Sequence, residues 1–227
     1  MIEVAKLQDI RYGLLEPCDI EEMEVLLAEV FNRFDPLAAA INLPLEEMRG
    51  LVRLFAEAAA NDMLTVVARS QETGRLIGAM LTNDFASPSP EGIDKVAEHF
   101  DPIAALLNML DEQYRKVAHT ISGEILHLFM LGVAAEFGGK GIAKNLVRLT
   151  LENGKCRGYT VAVTEATGNV SQHIFRTFGF AERFRTNYRD FTYRGKAVFQ
   201  GIVEHKATIL MERNLGTLHL TSPNPPC

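Results

Sequence analysis

Three glycines, Gly138, Gly139 and Gly141, fall within four positions, just after the apolar run that ends at Val133 and just before a helix-like pattern. Glycine lets backbone N–H groups turn inward and approach a ligand closely. A helix N-terminus adds unpaired donors and partial positive charge. Together they can seat a phosphate or pyrophosphate; the alternative is a tight turn with no ligand. Spacing excludes two common phosphate loops. G-x-x-x-x-G-K-[ST] would need a glycine at Ala134 and a hydroxyl at Gly141, and G-x-G-x-x-G begun at Gly139 would end on Lys144. Upstream, His127 is the second group suited to chemistry, because an ordinary imidazole pKa of about 6.5 fits base work at neutral pH. Its alternative is a histidine satisfied within a sheet. Strand alternation predicts that His127, Phe129, Leu131 and Val133 share one face.

These residues need elements to hold them. Met23, Leu26, Leu27, Val30 and Phe31 recur at helical spacing over 19–33, with Asp19 as N-cap, and Asp35-Pro36 ends that helix. A second amphipathic helix covers 45–60. Strands at 64–68 and 76–81 flank the turn Gln71-Glu72-Thr73-Gly74 and read as a hairpin. Residues 84–90 form a loop, and 91–117 are mainly helical with a break near Asp101-Pro102. A strongly apolar strand runs from Glu124 to Val133, followed by a helix at 141–153, a strand at 159–165 and a helix at 169–178. Strands then follow at 181–189, 196–201 and 205–213. Such an order predicts a mixed α/β sheet rather than a regular βαβ array.

Composition narrows the class. The chain has 227 residues, 47% of them hydrophobic and a formal net charge of −6, which suits one domain with a sizeable core and argues against a nucleic-acid partner. Cys18, Cys156 and Cys227 are odd in number and lack C-x-x-C spacing, which argues against a disulfide framework and a structural zinc site and for a reducing, cytoplasmic setting. The N-terminus lacks a signal-peptide core, and no apolar run approaches the ~20 residues of a membrane span. A single domain is expected over 1–220, with a flexible tail at 221–227.

The segment V-x-x-x-x-G-G-K-G-I-A resembles motif A, [RQ]-x-x-G-x-[GA], of the GNAT superfamily of acyl-CoA-dependent N-acyltransferases. Gly141 and Ala143 hold its last two fixed positions, and Gly138 departs from the usual Arg or Gln. Asn169 to Phe180, N-V-S-Q-H-I-F-R-T-F-G-F, resembles the family's motif B, one residue short. The resemblance covers roughly 60–213. Asp35-Pro36-Leu37 and Asn187-Tyr188-Arg189 are similar to the arylalkylamine N-acetyltransferase-like branch of insects. It implies a mixed, mostly antiparallel sheet flanked by helices, with a helical insertion at 84–119 before the family's fourth strand.

The resemblance also implies a reaction: direct attack of an amine on the thioester of acetyl-CoA, with no metal. The pyrophosphate would rest on Gly138, Gly139, Lys140, Gly141, Ile142 and Ala143. Backbone N–H groups near Leu131, Gly132 and Val133 would position the pantetheine arm and the thioester carbonyl, and Asn169 would contact that arm or the first turn of its helix. His127 sits at the offset where several subfamilies carry a base. Asp35 is the rival base, matching an acidic-Pro-Leu segment with Asp in place of Glu, and its alternative is a helix-ending turn. Phe175 stands where many members have a proton-donating tyrosine, so Ser171 is the candidate acid or simply a helix cap.

The acceptor is expected to be a small-molecule amine. The insertion supplies either a lid over the acceptor side or the interface of a homodimer. A non-catalytic CoA-binding module and a protein or peptide N-acetyltransferase stay open as alternatives.

Overall fold

In the computed structural model, residues 2–7, 9–96 and 98–216 are described. The tail expected at 221–227 lies outside them. Eight strands form one sheet in the order β1-β2-β3-β4-β5-β6-β8-β7. They are β1 (Ile2–Leu7), β2 (Ile10–Leu14), β3 (Val66–Ser70), β4 (Leu76–Asp84), β5 (Ile125–Val133), β6 (Val161–Ala166), β7 (Ala181–Asn187) and β8 (Ala207–Asn214). Every neighbouring pair is antiparallel except β5 and β6, which run parallel.

Helices cover both faces. One apolar cluster joins the sheet to α1 (Ile20–Phe34), α2 (Pro36–Ala40), α3 (Leu45–Ala59) and α5 (Asp101–Arg115), through side chains such as Leu27, Leu37, Leu51 and Leu106. The other joins it to α6 (Ile142–Cys156) and α7 (Asn169–Thr177), through Leu146, Val147 and Phe175. The short α4 (Ile93–Val96) and a 3-10 turn at Glu98–Phe100 complete the insertion. Gly132 lets α1 approach β5 closely: a Cβ there would lie 2.6 Å from Leu27 Cδ2.

Three expectations are corrected. No element was expected before residue 19, yet β1 and β2 form a hairpin there, and β2 pairs with β3 from Ile10↔Ser70 to Leu14↔Val66. Long-range pairing rather than local pattern makes the five-residue β2. Residues 196–201 are turns instead of a strand: positive φ at Arg194 (49°) and Gly195 (75°) folds the chain back into a single Tyr193↔Lys196 bridge. Finally, His127, Phe129, Leu131 and Val133 do not share a face. The β4 register jumps from Leu81↔Met130 to Thr82↔Leu128, so β5 carries one extra residue. Phe129 and Met130 consequently both pack toward α1 and α3, whereas Leu131 and Val133 pack with the α6 cluster. A β-bulge reverses the alternation of everything beyond it.

Candidate active site

The bulge coincides with an opening in the sheet. β5 and β6 pair only at Ile125↔Val161, Leu126↔Ala162 and His127↔Val163. Beyond that point the strands diverge, which leaves the β6-facing edge of Leu128–Val133 without a partner strand among the described residues. An outer cleft of about 450 Å³ occupies the gap, lined by Leu131, Val133, Ala143, Thr167, Gly168, Ser171 and His205 among others. An inner chamber of about 80 Å³ continues from it, walled by Phe31, Leu51, Phe100, Ile103, Leu107 and Phe129 and by the polar Asp35, Glu165 and Thr167. The two cavities share Phe31, Asp35, Leu131, Thr167 and Ser171.

At the mouth, Gly139 (φ 74°) and Gly141 (φ 78°) adopt the left-handed conformation that side chains disfavour, and Gly141 is the N-cap of α6. Gly138, at φ −59°, needs no glycine for its backbone. The N–H groups of Ile142, Ala143 and Lys144 open α6 with no intrahelical acceptor, so an anion fits here. Ala143 lines the cleft, which joins the loop to the gap. Lys140 lays its ammonium over the Phe137 ring, 4.8 Å from the centroid.

Asp35 sits where α1 ends. It is the N-cap of α2: Oδ1 accepts from Leu37 N at 3.0 Å and Ala38 N at 2.9 Å, while Pro36 occupies the first helical position. Oδ2 accepts from Thr167 Oγ1 at 2.6 Å. Burial pushes the carboxyl pKa up, and the Thr167 hydroxyl, the two amides and His205 offset only part of this. Asp35 is therefore both the helix-ending residue and a cleft carboxylate of raised basicity. Thr167 and His205 were missed from sequence: no motif marks them, and they meet Asp35 only through tertiary folding. The Tyr188 hydroxyl donates to Thr167 O and so braces the same corner.

Ser171 lines both cavities, but its hydroxyl donates to Gly168 O at 2.9 Å and accepts from Gly168 N at 3.3 Å, so it also caps α7. Asn169 turns away: its Nδ2 donates to Glu204 O at 2.9 Å, and its backbone N–H donates to His205 Nδ1 at 3.1 Å. Phe175 is buried against Phe180, 5.1 Å between centroids, with its edge in the inner chamber.

His127 lines neither cavity. It lies behind Glu165, with Nε2 at 2.7 Å from Glu165 Oε2 and the Phe85 and Phe129 rings around it. Burial alone would lower the imidazole pKa, but the charge and hydrogen bond of Glu165, with Asp111 beyond, raise it on balance. Glu165 is held below its ordinary value by the same contact, against the opposing effect of burial. The sequence reading missed Glu165 and Asp111.

The family profile described as Acetyltransferase (GNAT) family matches residues 41–180, more than half of the chain. This chain belongs to the GNAT acetyltransferase family. Among solved structures, the C-terminal condensation domain of Ebony in complex with beta-alanyl-dopamine superposes with a TM-score of 0.84 at 13% identity, covering 92% of this chain and 100% of that one. Arylalkylamine N-acetyltransferase 2 from Aedes aegypti gives 0.77 at 23% identity, covering 92% and 100%. Drosophila melanogaster polyamine N-acetyltransferase gives 0.68 at 16%, covering 91% and 100%. At these identities the likeness is one of fold. The mixed, mostly antiparallel sheet flanked by helices is thus the GNAT fold, and the chain is an acyltransferase. No helix among the described residues is long and apolar enough to cross a membrane.

Proposed function

We propose that this chain transfers an acetyl group from acetyl-CoA to a small primary amine by direct attack, with Asp35 as general base. The observation that carries the reading is the pair of adjoining cavities that run from the α6 N-terminus through the β5–β6 gap to a half-buried carboxylate of raised basicity. Acetyl-CoA, when bound, supplies the activated acetyl group. Its pyrophosphate fits the left-handed Gly139–Gly141 turn and the first amides of α6. The unpaired edge of Leu128–Val133 offers N–H groups to the pantetheine arm and the thioester carbonyl.

The amine enters beside Asp35. As its nitrogen bonds to the acetyl carbon and the carbon–sulfur bond breaks, its proton passes to Asp35 Oδ2, directly or through one water. Thr167 holds that oxygen in place. The family resemblance makes Ser171 the candidate acid for the departing sulfur, although its proton already goes to Gly168 O; a thiolate can leave without it.

The inner chamber favours a small acceptor over a polypeptide. Its walls are mainly apolar, and they include Phe100 and Ile103 of the insertion, which serves as a wall over the acceptor side. A cavity of about 150 Å³ lined by Leu, Ile and Phe accommodates benzene; this one is near half that size and suits a short alkyl arm. A reducing compartment, the cytoplasm, fits the exposed thiol of Cys18. The test is thiol release from acetyl-CoA over a panel of primary amines and peptides. Acetylation of short alkylamines supports the reading. Turnover on peptides alone, or acetyl-CoA binding with no turnover, overturns it.

A further inference from the structure

Two polar contacts tie the α5 wall of the inner chamber to the sheet: Tyr114 donates to Glu212 of β8, and Asp111 meets β6 nearer the chamber. Ile103, Leu107 and Asp111 recur every four residues and form one stripe of α5. The first two line the chamber. Asp111 instead meets Glu165 of β6, within hydrogen-bonding reach. Two buried oxygens, Asp111 Oδ1 and Glu165 Oε1, have no donor among the described residues. Two carboxylates in contact would leave both oxygens orphaned and would repel. One proton between them satisfies both. Glu165 already spends Oε2 on His127 at 2.7 Å, and its side chain is only 4% exposed.

We propose that Asp111 is a positioning residue that holds the shared proton and thereby fixes both the α5 wall and the Glu165 carboxylate of the acceptor chamber. It touches no reacting atom and acts through Glu165. The charges support this assignment of the proton. Burial, reinforced by the Glu165 charge, pushes the Asp111 carboxyl up to about 8, whereas the adjacent imidazole holds Glu165 down. The titratable groups that face Asp111 are Glu165 of β6, His127 of β5 and, on its own helix, Arg115. β7 also packs on α5, but its Arg183 faces Glu212 and Tyr114 instead. When Asp111 ionises, two buried like charges abut, α5 moves outward and the short-arm pocket loses its shape.

The inference rests on the proposed acceptor site, so its test has one arm that needs no turnover. Asp111→Asn keeps a donor toward Glu165 that does not titrate. In the kinetic arm, the KM for a short alkylamine is measured for wild type and D111N from about pH 7 to about pH 9. The ratio of wild type to variant should rise about tenfold by about pH 9, one unit above the titration, and the common ionisation of the amine cancels in that ratio. In the thermal arm, folding takes up a proton between the ordinary aspartate value and about 8. The stability that Asp111 contributes is therefore fully present in acid, falls as pH rises toward 8 and is gone above it. The Tm difference between wild type and D111N should follow that course. Absence of turnover on every amine, with the thermal difference intact, would sink the acetyltransferase reading and leave the shared proton standing. Identical pH courses of Tm in the two proteins would overturn the proposal, as would a KM ratio that stays flat while the amine is turned over.

Discussion

Two carboxylates line the inner chamber, and they are held in opposite ways. Asp35 is surrounded by neutral donors, two backbone amides and the Thr167 hydroxyl, and burial wins: its pKa is raised. Glu165 is at least as enclosed, but its partner is the His127 imidazole, and its pKa is lowered. Neutral donors orient a carboxylate while leaving it able to take a proton. A cationic partner locks it ionised and ties the cation up as well. The difference separates a group fit for general base work from a structural ion pair, although both line the same chamber.

That contrast can be broken from either end. The largest effect is expected from Glu165→Ala, which strands His127 and Asp111 in the interior. Removing one member of a buried pair costs about 3–5 kcal/mol, to be read from chemical denaturation. A loss below 1 kcal/mol, roughly the worth of an exposed pair, would show that the ion pair is not holding β5 and β6 together. Thr167→Val acts at the other end. It removes a donor that holds the Asp35 pKa down, so the acid limb of the kcat profile should move to higher pH. A limb that stays in place would mean that Asp35 does not control it. The smallest effect is expected from Ser171→Ala. If the hydroxyl mainly caps α7, stability falls by about 1 kcal/mol with kcat nearly unchanged, whereas a large drop in kcat would make Ser171 the acid.

The glycine turn that we propose seats CoA was legible in the sequence as a turn, because its requirements are local. Left-handed turns demand Gly139 and Gly141, and a helix start follows at once. Asp35 was legible for the same reason, through Pro36 and the helix it ends. The acceptor side was not. Thr167, His205, Glu165 and Asp111 become partners only when α2, α5, β6 and the residues after β7 converge, and no spacing in one segment encodes that. The β5 bulge shows the limit most plainly. Alternation carries His127 onto the face of Val133, but one extra residue at Phe129–Met130 reverses the count. Bulges are fixed by strand register against β4, which sequence periodicity does not reveal.

The central claim, that Asp35 is the base and His127 is not, is tested most directly by kcat–pH profiles of Asp35→Asn and His127→Gln with a primary amine. Asparagine keeps the α2 cap and cannot accept a proton. The account predicts that D35N loses about 10²–10⁴ in kcat together with the acid limb, while H127Q is less stable but keeps that limb where wild type has it. A D35N enzyme with wild-type kcat and an unmoved limb, beside an H127Q enzyme that has lost both, would contradict it.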